Sequence, residues 1–201
     1  MSGTKLEIKN VLTTLYEITG DTEDFISLLQ TAFIYNSSKP LQDCKAKAEE
    51  FGKETGHLLN IIKEAAVDDK AVEPYVPVPE HLLRIWKNLD KLSDLIGKKI
   101  DEKVLFSDKA VNESIFLLQR LVEILGPTAD IILARNIFLC KYIQESHAAI
   151  EKMATEYATL HEDRLARGVC LNAASSIYMG MLDAIKGIAW NTKQIALALS
   201  K

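Results

Sequence analysis

One stretch of this chain occurs twice. Leu15-Tyr16-Glu17-Ile18-Thr19-Gly20-Asp21-Thr22-Glu23-Asp24-Phe25-Ile26 returns as Leu121-Val122-Glu123-Ile124-Leu125-Gly126-Pro127-Thr128-Ala129-Asp130-Ile131-Ile132. Leu, Glu, Ile, Gly, Thr, Asp and the final Ile coincide at a constant offset of 106 residues. Leu12 with Leu118 and Glu50 with Glu156 keep that offset, and Val11 faces Leu117 across the copies. So many coincidences without a gap indicate duplication of about half the chain. Repeats settle architecture first, because each copy must supply the same elements. The boundary falls between residues 1–104 and 105–201.

Each copy has a helical period. Leu12, Leu15, Ile18, Phe25, Leu28, Leu29, Ala32 and Phe33 recur at three- and four-residue steps, one stripe of a helix from about Leu6 to Asn36. Gly20-Asp21 and Gly126-Pro127 predict a kink or break at the same point of both copies, since proline removes a backbone donor. A second helix runs from about Leu41 to Ala66. Val67 to Pro79, with Pro74, Pro77 and Pro79, reads as the longest loop. Leu82, Leu83, Trp86, Leu89, Leu92, Leu95, Ile96 and Ile100 carry a third helix, about Glu80 to Glu102.

The cycle then repeats. Ser107 caps a fourth helix. A fifth extends from about Ala134 to Ala166 and stops at Gly168 as a C′ glycine. A sixth opens at Asn172 or Ser175 and runs through Tyr178, Leu182, Ile188 and Leu199. The expected fold is all-α, six helices as two tandem three-helix bundles.

Composition excludes several function classes. The chain has 24 Lys and Arg against 28 Asp and Glu, a net charge of −4 without a basic stripe, so nucleic acid is not an expected partner. The most apolar windows, Ile115–Leu125 and Ile131–Cys140, contain polar residues and are too short to span a membrane. Cys44, Cys140 and Cys170 sit singly without CxxC spacing and read as reduced thiols of a cytoplasmic protein. There is no Walker loop, GxGxxG or HExxH. Ser175-Ser176 lacks a glycine-flanked elbow, and helix starts select serine anyway. No catalytic residue and no organic cofactor site is expected.

Acidic pairs remain as ligand candidates. Asp90 and Asp94 lie one turn apart, as do Glu50 and Glu54, and carboxylates at i and i+4 can bite one ion. The same residues also read as solvated faces, Asp90 and Asp94 pairing with Lys87, Lys91 and Lys98. Glu54-x-x-His57 is an ExxH, but a di-iron bundle needs that motif on two helices. Its copies at offset 106 are Leu160 and Asp163, so the ferritin-like reading fails. His161 and Arg164, near a helix end, are expected to satisfy terminal carbonyls. Trp190, between Ile188 and Ile195, reads as core.

The last third carries a family resemblance. His161-Glu162-Asp163-Arg164-Leu165-Ala166-Arg167-Gly168 precedes a helix that passes through Asn191-Thr192-Lys193-Gln194-Ile195-Ala196. Asn88-Leu89-Asp90-Lys91-Leu92-Ser93-Asp94 stands earlier, in the third helix. Together with the duplication, these residues resemble the PhoU family, particularly the PhoU-type cytoplasmic regions of sodium–phosphate cotransporters. The family has a His-x-x-Arg-Leu-x-x-Gly turn, and Asn-Leu-Glu-Arg-Ile-Gly-Asp in its third helix. The resemblance implies a regulator or accessory module of phosphate transport, cytoplasmic or peripheral to the membrane. Its expected partner is a membrane phosphate transporter or a sensor kinase, and a homodimer is compatible with it. It also implies (Glu/Asp)-x-x-x-Asp metal motifs in both repeats, holding iron or another divalent ion. Here Asp90 and Asp94 match, whereas Lys186 and Trp190 hold the corresponding places in the second repeat, and Gly56 replaces an acid on the second helix. Any ion is therefore expected in the first repeat only, on Asp90 and Asp94 with Glu50 or Glu54. The alternative to the regulator is a metal-binding bundle or metalloenzyme built on those carboxylates.

Overall fold

The computed structural model describes residues 2–170 and 172–200, with side chains from residue 8 onward. Six long helices follow one another: α1 (Ser2–Tyr35), α2 (Lys39–Asp68), α3 (Pro77–Asp101), α4 (Asp108–Ala134), α5 (Ile137–Ala166) and α6 (Asn172–Leu199). A 3-10 turn, Glu73–Tyr75, precedes α3.

The duplicated stretch lies in α1 and α4, the first helix of each repeat. Its matched apolar and threonine residues face inward in both copies, Leu15 and Leu121, Ile18 and Ile124, Thr22 and Thr128, Ile26 and Ile132 all being buried, while the matched acids Glu17, Glu123, Asp24 and Asp130 are exposed. α1 packs on α4 and α3 on α6, so each repeat covers the apolar stripes of the other. One continuous core draws on all six helices. In the first repeat, Trp86 joins three helices, meeting Phe25 edge-on at 5.4 Å and Phe51 at 5.0 Å.

The contact of α3 with α6 is antiparallel and close. His81 Nδ1 meets Asn191 Oδ1 at 3.0 Å, Asn88 lies against Gly187, and Leu95 lies against Gly180. A Cβ at Gly187 would stand 2.7 Å from Asn88 Oδ1, so a side chain there would have to displace the Asn88 amide.

Three boundaries differ from the sequence reading. Neither Gly20 nor Gly126-Pro127 breaks its helix. Around both points threonine hydroxyls donate back into the helix, Thr19 to the Leu15 carbonyl and Thr128 to the Ile124 carbonyl, each at 2.6 Å. The proline-rich loop shrinks to residues 69–76, because Pro77 and Pro79 occupy the first turn of α3, where a missing N–H costs nothing. Its residues Val72 and Tyr75 are buried. α5 starts at Ile137 instead of Ala134: Arg135 turns left-handed to end α4, and Asn136 caps α5 by accepting from Phe138 N at 2.9 Å.

Other ends fall where the residues place them. Ser107 Oγ accepts from Ala110 N at 3.3 Å. Gly168 has φ +71°, and Val169 N returns to the Arg164 carbonyl at 2.9 Å. The three cysteines are free, Cys44 and Cys140 fully buried, and burial pushes the Cys44 thiol up to about 12. No described helix is long and apolar enough to cross a membrane.

Candidate functional site

A buried polar cluster occupies the head of the second repeat, where α4 begins, α5 ends and α6 begins. Glu113 lies in the second turn of α4, on the same stripe as Ala110, Ser114 and Leu117. The helix period thus carries a carboxylate into the bundle. Arg164, near the end of α5, grips it with two hydrogen bonds, Nη1 to Oε1 at 2.8 Å and Nη2 to Oε2 at 2.7 Å. The Tyr178 hydroxyl of α6 donates to Oε2 at 2.5 Å. Both members of the ion pair are nearly buried, at 11% and 12% exposure. Such a pair is stable only when further donors satisfy the carboxylate, and Tyr178 is one.

His161 stands one helical turn before Arg164. Its ring lies tilted by 35° against Tyr178 with centroids 4.5 Å apart, and Nε2 lies 3.1 Å from Ser175 Oγ. Burial, and then the Arg164 charge, push its pKa down, which keeps the imidazole neutral. Burial and the bond to Glu113 push the Tyr178 hydroxyl well up, so it stays a donor. The Glu113 contact pushes Arg164 higher still.

The expectation that His161 and Arg164 cap α5 is therefore corrected. Both turn inward to α4 and α6, and the terminal carbonyls are met by the backbone at Gly168 and Val169. Ser175 and His161 are in contact, but Nδ1 has no partner, so no carboxylate orients the imidazole as a serine hydrolase requires. Chemically the cluster ties three helices together.

Sequence reasoning did not single out Glu113 or Tyr178. The signal was an acid inside an apolar stripe. At offset 106 the first repeat has Thr55 and Leu58 for His161 and Arg164, so this cluster is peculiar to the second repeat.

The four expected metal ligands divide into two places. Asp90 is half-buried and Asp94 exposed on successive turns of α3. Burial, and then Asp94, push the Asp90 carboxyl up. Asp90 shares a groove with Lys45, Glu49, Gly52, Trp86 and Lys87, and Glu49 is held by Lys53 at 2.7 Å. Glu50 and Glu54 are exposed and line a separate open groove with Ala46, Glu49 and Lys53. The helix period explains the split: the face of α2 toward α3 carries Lys45, Ala48, Glu49 and Gly52. Among the described residues no group of three or more His, Cys, Asp or Glu side chains could hold a metal ion.

In the second repeat Lys186 pairs with Asp183 at 3.1 Å. Trp190 is 48% exposed, which corrects its reading as core. The buried stripe of α6 passes through Ile188, Ala189 and Thr192, leaving Trp190 outside. There it rests against His147 at 5.8 Å, with Lys193 Nζ 4.9 Å above its ring.

No protein-family model matches this chain, and no curated protein matches it. Solved structures do. The phosphate transport system regulatory protein PhoU from Streptococcus pneumoniae superposes with a TM-score of 0.84 at 8% identity, covering 98% of this chain and 94% of that one. PhoU from Pseudomonas aeruginosa gives a TM-score of 0.80 at 10% identity, covering 98% and 96%. The fold is PhoU-like from end to end.

Proposed function

We propose that the chain is a regulator or accessory module of phosphate transport. It acts without catalysis, from the cytoplasmic side, through contacts with a membrane phosphate transporter or a sensor kinase. The observation that carries this reading is the match to two PhoU structures over nearly the full length of each chain. A fold is shared by unrelated functions, so the site must add to it. The His161-x-x-Arg164-Leu165-x-x-Gly168 turn does so: its His and Arg are spent on holding helices together. That suits a rigid surface for protein contacts better than an enzyme.

The test is to delete the gene in its source cell and measure uptake of radiolabelled phosphate in phosphate-rich and phosphate-poor medium. Altered regulation of uptake, restored by the plasmid-borne gene, is the expected result. Identical uptake in both media with and without the gene would end the reading.

A further inference from the structure

Beside the Glu113–Arg164–Tyr178 cluster lies a cavity of about 200 Å³. Phe106, Ala110, His161, Cys170, Ala174 and Tyr178 line it. Its mouth is formed by two connections, residues 102–107 and the turn after α5. Each presents a large apolar side chain to solvent, Leu105 at 76% and Val169 at 64% exposure. Val169 also borders the neighbouring groove, which holds Leu160, 50% exposed, together with Lys109, Arg164 and Arg167. An apolar socket thus sits inside an apolar rim.

We propose that this socket and rim are the docking site for a segment of a partner protein. The segment inserts one bulky apolar side chain and carries an acidic residue beside it. The inference rests on the regulator reading and gives its contact surface a place. Interface energy concentrates where an anchor fills a pocket while surrounding contacts exclude water, and this geometry offers both parts. A free small molecule in the socket would leave Leu105, Leu160 and Val169 in water, whereas a protein segment covers them. Charge supplies the acid. Arg164 is spent on Glu113 and Arg167 on Asp163 at 3.0 Å, but Lys109 has no ion pair among the described residues. The groove therefore carries one unspent positive charge. Phe106 gives the site reach into the first repeat, because its ring meets Tyr178 at 5.9 Å on one side and Phe33 of α1 at 5.7 Å on the other.

The probes are fifteen-residue synthetic peptides tiling the cytoplasmic segments of the phosphate transporters and sensor kinases encoded in the source genome. Their binding to the full chain is read by fluorescence polarisation. The variants are L105K/V169K and K109E, with V67K as an exposed substitution at the opposite end of the bundle. Unchanged circular dichroism and Tm serve as the control for folding. A peptide with a bulky apolar residue next to an acid is expected to bind. Its affinity should fall at least about tenfold in L105K/V169K, several-fold in K109E, and not in V67K. Equal affinity for L105K/V169K and the parent overturns the socket while the regulator reading stands. Failure of every peptide also overturns it, and the uptake measurement then judges the regulator reading separately. A homodimer that L105K/V169K dissociates would overturn it by assigning the socket to a second copy.

Discussion

The Tyr178 hydroxyl donates to Glu113 Oε2 at 2.5 Å, so a residue of α6 completes an ion pair made between α4 and α5. Removing that hydroxyl leaves a nearly buried carboxylate one donor short. Hydrogen bonds to charged groups contribute about 1.5–3 kcal/mol, and each kcal/mol moves the Tm of a chain this size by about 2–4 °C. Tyr178→Phe should therefore lower the Tm by several degrees. Arg164→Met should cost more, about 3–5 kcal/mol, because it strands the Glu113 charge. Adding Glu113→Gln to Arg164→Met should recover part of the loss. Thermal denaturation of the three variants checks the ranking, and a double variant worse than Arg164→Met alone would refute it.

Two buried histidines set the response to acid. His161 and His147 are held below the ordinary imidazole pKa, in both cases chiefly by burial. Groups that resist protonation in the fold bind more protons when unfolded. Stability is then full above the unfolded pKa, about 6.5, and declines as pH falls below it. The Tm should drop between pH 7.5 and 5, and His161→Gln with His147→Gln should flatten that slope. A double variant with the parent's pH profile would place the titration elsewhere.

Glycines on two helix faces should respond to alanine with opposite signs. A Cβ at Gly187 meets Asn88 at 2.7 Å and one at Gly180 meets Leu95 at 3.0 Å, whereas Gly52 and Gly56 on α2 face open space. Alanine gains about 1 kcal/mol of helix propensity at any of these sites, and overpacking costs about 1–3 kcal/mol. Gly52→Ala and Gly56→Ala should stabilise the protein. Gly187→Ala should destabilise it, by loosening α3 from α6. Denaturant midpoints for these three single variants decide the matter.

Much of this architecture can be read from periodicity. The pairs Leu15 and Leu121, Ile18 and Ile124 already mark two equivalent buried stripes, and Ser107 and Gly168 mark their helix ends by local chemistry. Proline and glycine mislead where a helix can accommodate them. Pro77 and Pro79 fit a first turn as well as a loop, and Gly126-Pro127 is carried through by a helix packed on both sides. The polar cluster is hard to see for a different reason. Glu113, Arg164 and Tyr178 come from three helices, and no spacing rule connects them. Only a lone acid in the stripe of α4 hints that something waits opposite. The four acids expected as metal ligands are divided for a related reason: Glu50 and Glu54, one turn apart on α2, line a different groove from Asp90.

Asp90 and Asp94 give a prediction in their own right. The Asp90 carboxyl is pushed up by burial and by Asp94, so its ionised form disfavours the fold. Above the raised pKa that cost is present, and it disappears as pH falls and Asp90 takes up a proton. Asp90→Asn and Asp94→Asn should therefore each stabilise the protein at pH 7 and make little difference near pH 3. Destabilisation at pH 7 would show the carboxylates to be held by partners.

A cation would relieve the same repulsion, and it should do so in the first repeat alone. Asp90 and Asp94 offer oxygens on one face of α3, while Lys186 and Trp190 offer an ammonium and an indole at the matching places of α6. An ammonium repels a cation, and the indole has no oxygen to give. With only two carboxylates, and no third His, Cys, Asp or Glu side chain grouped with them among the described residues, affinity should be weak, on the order of 10⁻³ M or poorer for calcium. Titration calorimetry with calcium, manganese and zinc, comparing the parent with D90N/D94N, measures it. Weak binding that the double variant loses is the expected outcome. Tight binding, or binding that survives in D90N/D94N, would put the ion on other ligands and remove α3 from consideration.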